Sequence, residues 1–298
     1  MSDKIYIFKQ GDYKKTGNLL MSKNSKACED CLLGMYVWKD RYGLALYKAS
    51  DCSFVYSSVF DTFMVPVPNM TESALEMMKS ISEKPVLARV TEKNKEYLEA
   101  NFEGMFEYSE DTGSYDYIYD IESLVTLKGK KLAKKRNHIN GFINTYDEWH
   151  TEEISFKNLL GCRDFLKKWY KDKIEKEDES GIDSLMAEKN SLFNVLENYD
   201  GIMADGMALF VGEEIAAVTI GQRISQHTYD VVFEKAFDSI KGAYNIINRE
   251  FAAFIMKKYP NVKYINREND LDLEGLRRSK RSYRPVEILK KYTARYIG

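Results

Sequence analysis

Three stretches of the chain carry side chains able to do chemistry. The first is basic: KGKKLAKKRNHINGF, residues 128–142, has six Lys or Arg among its first nine positions. Such a run can grip a polyanion, hold one small phosphorylated ligand, or solvate the outside of a helix. On a helix over residues 130–144, Leu132, Arg136, Ile139 and Ile143 share one face, and Lys131, Lys134, Lys135 and His138 lie on the other. Arg136 and Asn137 turn toward the apolar side, where an anion clamp inside a cleft would sit.

The second stretch is YDVVFEKAFDSIKGAYNIINRE, residues 229–250. An apolar strand (Val231, Val232, Phe233) runs into Glu234, and a loop with Lys241 and Gly242 opens a helix at Ala243, Tyr244 and Asn245. Free amides at a helix start, together with its dipole, favour an anion, and Gly242 would let backbone approach a phosphate. An ordinary turn explains the same residues. A carboxylate placed after three apolar residues is expected to lose hydration, which raises its pKa toward that of a general base. The competing reading of Glu234 is an ion pair with Lys235 or a nearby Arg.

The third is YINRENDLDLEGLRRSKRSYRP, residues 264–285. Asn266, Arg267 and Glu268 fall at the C-terminal end of a strand, where open α/β sheets place ligand groups. The helix after them has acids first and bases last, an order the helix dipole favours without any ligand. Cys28 and Cys31 have the spacing of half a zinc site, but no second CxxC or HxxxH follows. Both are read as packing residues, and no metal is expected.

These residues need a scaffold, and the hydrophobic pattern supplies one. TESALEMMKSISEK has a Thr cap and helical spacing, KPVLARVT reads as a strand, and EKNKEYLEANF as a helix. MYVW and YGLALYKA read as strands around a KDRYG turn. The polar EYSEDTGSYD, residues 107–116, is the expected boundary between a unit over 1–115 and one over 116–298. Beyond it, FKNLLGCRDFLKKWYKDKI and SLMAEKNSLFNVLENY are amphipathic helices, and GMALFVGEEIAAVTIGQRI is a hairpin. The C-terminal part then reads strand, strand, strand, helix, strand, helix, strand, the last strand spanning PVEILKKYTARYI. An α/β fold in two halves is expected.

With 298 residues and a net charge of −2, the chain is large enough for two cores and too acidic for a general nucleic-acid binder. Any anion recognition must be local. It lacks an 18-residue apolar run, and its start lacks a leader's apolar segment, so a cytoplasmic protein without stable membrane insertion is expected.

YDYIYDIESLVTLKGKKLAKKRNHINGF, VVFEKAF with KGAYNIINREFA, and YINRENDLDLEGLRRSKRSYRP resemble, in this order, a bacterial group related to the C-terminal domain of phosphatidylglycerol lysyltransferases. The resemblance implies two tandem GNAT-like (N-acyltransferase) domains with mixed sheets flanked by helices, as in Fem-type transferases. It further implies an acyl- or aminoacyltransferase that uses acyl-CoA or aminoacyl-tRNA. In that reading Glu234 is the base and Tyr283 protonates the leaving group. Lys131, Lys135, Arg136, Asn137 and residues 241–245 hold the donor. Asn266, Arg267 and Glu268 orient the acceptor, a small molecule or lipid, or stabilise charge. SIKGAY departs from the usual loop, with bulky Tyr244 after Gly242 and Ala243. Two alternatives stay open: a tRNA- or RNA-binding module, and a transferase fold without turnover.

Overall fold

The computed structural model describes residues 4–5, 20 and 24–298. The start of the chain, read above for a leader, lies almost wholly outside them. The first half runs β1 (Lys4–Ile5), α1 (Leu32–Tyr42), β2 (Leu44–Lys48), β3 (Ser53–Ser57), β4 (Thr62–Met64), α2 (Glu72–Ile81), β5 (Val86–Thr91), α3 (Glu92–Asn101) and β6 (Phe106–Glu110). The chain continues through β7 (Asp116–Asp120), α4 (Ile121–Thr126), α5 (Ala133–Thr145), β8 (Trp149–Glu153), α6 (Leu159–Ile174) and α7 (Glu179–Glu197). It finishes with β9 (Asp205–Val211), β10 (Glu214–Arg223), β11 (Thr228–Ala236), α8 (Ala243–Lys258), β12 (Tyr264–Asn266), α9 (Glu274–Ser282), β13 (Glu287–Leu289) and β14 (Lys291–Tyr296).

Local chemistry explains many of the boundaries. The Thr71 and Thr91 hydroxyls accept from the amides of Ala74 and Asn94, and Asp120 accepts from that of Ser123, so α2, α3 and α4 each start on a side-chain cap. Met35 to Trp38, expected as a strand, lie instead inside α1. That helix packs against α7, β2 and β10 and buries Leu32, Leu33, Met35 and Val37. An apolar run covered on several sides carries no clean period, so sequence spacing cannot tell buried helix from buried strand.

Two seven-stranded mixed sheets result, in the orders β1-β2-β3-β4-β5-β14-β6 and β13-β7-β12-β11-β10-β9-β8. Each contains one parallel pair, β4/β5 joined through α2 and β11/β12 joined through α8. One core lies between the halves: Leu33, Val37 and Val55 meet Phe165, Leu166, Val195, Val218 and Val232. Two others fill the outer faces, beneath α4, α5 and α8 on one side and beneath α2 and α3 on the other.

The chain crosses between the sheets twice. After β6 the chain crosses to insert β7 between β12 and β13, and after β13 it crosses back to insert β14 between β5 and β6. PVEILKKYTARYI is therefore two strands in two sheets, not one. The expected unit over 116–298 starts at β7 but wrongly keeps β14, which completes the first sheet. The two crossing points are pinned together. Lys291, the first residue of β14, places its ammonium 2.7 Å from Asp116, the first residue of β7, and neither side chain is exposed at all. Glu29 lies 2.6 Å from the same ammonium, and Asp116 also accepts from Asn266 Nδ2 at 2.8 Å and from the Cys28 amide at 2.9 Å.

Removing one partner from such a pair leaves buried charge uncompensated. Lys291→Met is expected to cost about 3–5 kcal/mol in urea denaturation. Adding Asp116→Asn should recover part of that loss, because the stranded carboxylate is then neutral.

Candidate active site

A cavity of about 570 Å³ opens in the second half, at the ends of β11 and β12 and beside α5, α8 and α9. On β11, Val231 to Lys235 all line it; Val231 also belongs to the core under α8, and Val232 and Phe233 to the core between the halves. Arg267 and Glu268 follow directly on β12. From α9, Leu276, Ser279, Lys280 and Tyr283 reach the cavity, a helical spacing of three, four and seven residues. α5 contributes Lys135 and His138, and α8 contributes Tyr244 and Asn245.

Glu234 is not a lone carboxylate. Arg267 Nη2 donates to its Oε1 at 2.8 Å and Asn248 Nδ2 to its Oε2 at 3.1 Å, so both oxygens are engaged. The ion-pair reading is the observed one, and its partner is Arg267 rather than Lys235. Lys235 bonds both oxygens of Glu188, at 2.9 and 3.0 Å. Arg267 lies 5.0 Å from the Tyr283 ring centre, and Lys135 Nζ lies 4.0 Å from it. The Tyr283 hydroxyl accepts from Asn245 Nδ2 at 2.5 Å, and burial pushes its pKa up. Burial, then Arg267, then Lys134 bring Lys135 down to about 8.

Other expected residues lie elsewhere. Arg136 is not a clamp in the cleft: its guanidinium donates to the carbonyls of Leu127 and Gly129 (2.8 Å for the latter), closing the turn before α5. Lys131 and Asn137 are exposed and outside the cavity lining, as is Lys241. Gly242, at φ +89°, serves packing rather than phosphate approach. A Cβ there would stand 2.8 Å from the His138 carbonyl oxygen and from Phe142 Cβ, so the glycine lets α8 start hard against α5. Ala243 is buried in that contact, and the amides of Ala243 and Asn245 already donate to the carbonyls of Ile240 and Gly242. Asn266 is fully buried and braces Asp116 and the Lys26 carbonyl.

Beneath the cavity lies a polar cluster that sequence spacing does not announce. Glu268 lines the cavity, and its carboxylate forms no hydrogen bond among the described residues. Burial, with Asp116 and Glu29 adding to it and Lys280 and Lys291 opposing it, raises it to about 8. Lys280 donates to the carbonyls of Arg267 and Glu268, and burial lowers its pKa. Cys31 is buried in the apolar core, whereas Cys28 sits in the clamp with Sγ 3.3 Å from Asp116 Oδ1. Cys28, Glu29 and Asp116 offer three donors within 4.8 Å of one another, but the Lys291 ammonium lies against all three and takes the place of a cation. Among the described residues no helix is long and apolar enough to cross a membrane.

Glu268 also gives stability a sign. Its value in the fold lies above its ordinary 4.5, so the unfolded chain gives up this proton first as pH rises. Its contribution is full below about pH 4.5 and is lost by about pH 8. The melting temperature of Glu268→Gln should therefore fall less than that of the wild type between pH 5 and 8, as calorimetry would show.

The family described as phosphatidylglycerol lysyltransferase, C-terminal, matches residues 22–295. A conserved protein of unknown function from Bacteroides thetaiotaomicron is 31% identical, with TM-score 0.89 over 100% of both chains. L-PGS from Bacillus licheniformis is 15% identical, with TM-score 0.63 over 98% of this chain and 94% of that one, which establishes a shared fold. An uncharacterised protein of Mycoplasmoides gallisepticum is 25% identical over 189 residues, 62% of this chain and 57% of that relative's length. The α/β fold in two parts, with mixed sheets flanked by helices, expected from the sequence is the fold observed. With the family matched from before the clamp to the end of β14, this chain belongs to the phosphatidylglycerol lysyltransferase C-terminal family.

Proposed function

We propose that this protein transfers an activated acyl or aminoacyl group, carried by acyl-CoA or aminoacyl-tRNA, to a nucleophile bound in the cavity at the ends of β11 and β12. The observation that carries this reading is the Lys135 ammonium. It has no ion-pair partner among the described residues and stands over Tyr283, beside the Glu234–Arg267 pair. A donor phosphate is a natural partner for such a cation. Arg267, held in place by Glu234, is available to stabilise negative charge that develops on the acyl oxygen. Tyr283 stays protonated at neutral pH and can give its proton to the departing sulfur or oxygen. The exposed Lys128, Lys130, Lys131 and Lys134 lead along the surface to Lys135 and favour the RNA-borne donor, whose phosphates outnumber those of CoA. A small molecule or a lipid headgroup would serve as acceptor.

Lys135 gives donor binding a pH dependence. The side chain is cationic below about 8 and loses its charge above it, so affinity for CoA or aminoacyl-tRNA should fall from pH 7 to pH 9. At pH 7, Lys135→Ala should weaken donor binding about tenfold or more, and its residual binding should be flat with pH. Arg267→Ala should lower turnover about 10²- to 10³-fold. Calorimetry with CoA, acetyl-CoA, uncharged tRNA and aminoacyl-tRNA measures the first two, and product formation measures the third. If the wild type binds no donor at pH 7, the proposal fails. Binding of tRNA that collapses with salt, without transfer from any donor, would point to an RNA-binding module instead.

A further inference from the structure

Six Lys, Arg and Glu side chains line the cavity, and four of them are already engaged inside the protein. Glu234 pairs with Arg267, Lys235 with Glu188, and Lys280 donates to two carbonyl groups. Two remain without a partner among the described residues, the Lys135 ammonium and the Glu268 carboxylate. A cavity with one free cation and one free anion is matched by an anionic donor and a cationic acceptor. From this we infer that Glu268, not Glu234, is the catalytic base, that it receives the ammonium group of the acceptor, and that the acceptor is therefore a primary amine. The inference rests on the transferase reading for the step itself, but the ammonium site does not.

The backbone of Glu268 is fixed while its side chain is free. Its amide donates to Asn266 Oδ1 at 2.6 Å, and its carbonyl accepts from the Tyr117 amide and from Lys280 Nζ, both at 3.2 Å. Its φ of +55° is one that a glutamate seldom adopts. These contacts hold that conformation and leave the carboxylate at the cavity wall. Below it lies Asp230, which is fully buried and, beyond the nearby Cys31 thiol, has no hydrogen bond to either oxygen among the described residues. Asp230 stands opposite Asn266 in the parallel β11/β12 pairing, two residues before Glu268. The charged neighbour that raises Asp230 most is Glu268.

The ionisable groups around Glu268 come from every element packed on it. They are Asp230 of β11, Asp116 of β7, Lys280 of α9 and Lys291 of β14. Before and within α1 stand Cys28, Glu29, Cys31 and Tyr42. Three carboxylates face two ammonium groups there, so the surroundings favour a proton on Glu268 or a cation beside it. Its value of about 8 suits a base that must deprotonate an ammonium near neutral pH.

The step balances without another reactant. The acceptor R–NH3⁺ gives one proton to the Glu268 carboxylate. Its nitrogen lone pair then attacks the acyl carbon, a C–N bond forms, and the C–S or C–O bond to the carrier breaks. The departing sulfur or oxygen takes the electron pair and the Tyr283 proton, the second nitrogen-bound proton refills Tyr283, and Glu268 returns the first proton to water. The products are an amide, the free carrier and one proton.

Two measurements on the full chain test this. In the first, ¹³C NMR follows glutamate labelled at Cδ through pH 4–10, with the Glu268 signal assigned by its loss in Glu268→Gln. The signal should titrate near 8 and should move down in Asp230→Asn. It should also move down with n-butylamine and stay put with n-butanol. Titration near 4.5, or equal responses to amine and alcohol, overturns the inference. In the second, n-butylamine and n-butanol are offered as acceptors with acetyl-CoA and with aminoacyl-tRNA. Amine transfer should dominate. Glu268→Gln should lower kcat at least 100-fold with donor KM unchanged, and Glu268→Asp should restore part of the rate. Transfer to the alcohol alone keeps the transferase reading and overturns this one. An effect of Glu268→Gln confined to donor KM assigns the carboxylate to the donor's own ammonium and likewise overturns it. An NMR response to amine without transfer from any donor keeps the ammonium site and overturns both the base role and the transferase reading.

Discussion

The ion pair between Lys291 and Asp116 holds the architecture together. Asp116 opens the strand on which the chain enters the second sheet and Lys291 the strand on which it returns to the first, so one buried contact fixes both crossings at once. Neither charge is solvated, and each must therefore be satisfied from within. Glu29, Asn266 and the Cys28 amide do this, drawing the segment before α1 and the end of β12 into the same cluster. A salt bridge so deeply buried contributes little net stability compared with an apolar substitute. Its effect is on geometry, because a strand slipped by one residue would leave an ammonium or a carboxylate without a partner.

The cavity follows from that geometry. Because β7 wedges between β12 and β13, the end of β12 stands over the clamp, and Arg267 and Glu268 are carried to the cavity wall. α8 and α5 close in from the side through Gly242, whose missing Cβ sets their separation. The surplus of acid under Glu268 is a consequence of the crossing itself, since Asp116, Glu29 and Lys291 gather there to hold the strands. Structure and electrostatics thus share one set of residues. A change in the clamp would be felt in the cavity.

Much of the fold was legible in the sequence. The C-terminal order of strands and helices is present as read up to the last strand, which is two, since alternation and helical spacing reflect half-buried elements that have one polar face. Elements covered on several sides gave no such signal, and α1 is the clearest case. Of the candidate site, Glu234, Arg267, Tyr283 and Lys135 do meet at one cavity. Arg136 and Gly242 were chosen for chemistry that suits their types, yet their neighbours put them to structural use. Lys280 was readable in principle from its spacing with Leu276, Ser279 and Tyr283. Asp230 and Lys291 were not, because burial of a charge is decided by which strand lies opposite, and spacing along the chain does not record that.

By itself the sequence determined the local preferences: which segments alternate, which helices carry caps, and where charge collects. It also carried the family resemblance through its long blocks. Only the tertiary structure decided which charges are spent on each other and which stay free. Pairing depends on distances of a few ångströms between residues far apart in the chain, such as 26 and 287, 116 and 291, or 234 and 267. Coulomb energy falls off with that distance and rises as water is removed. The two crossings set both quantities at the cavity, and among the described residues lining it they leave Lys135 and Glu268 as the charges without an ion-pair partner.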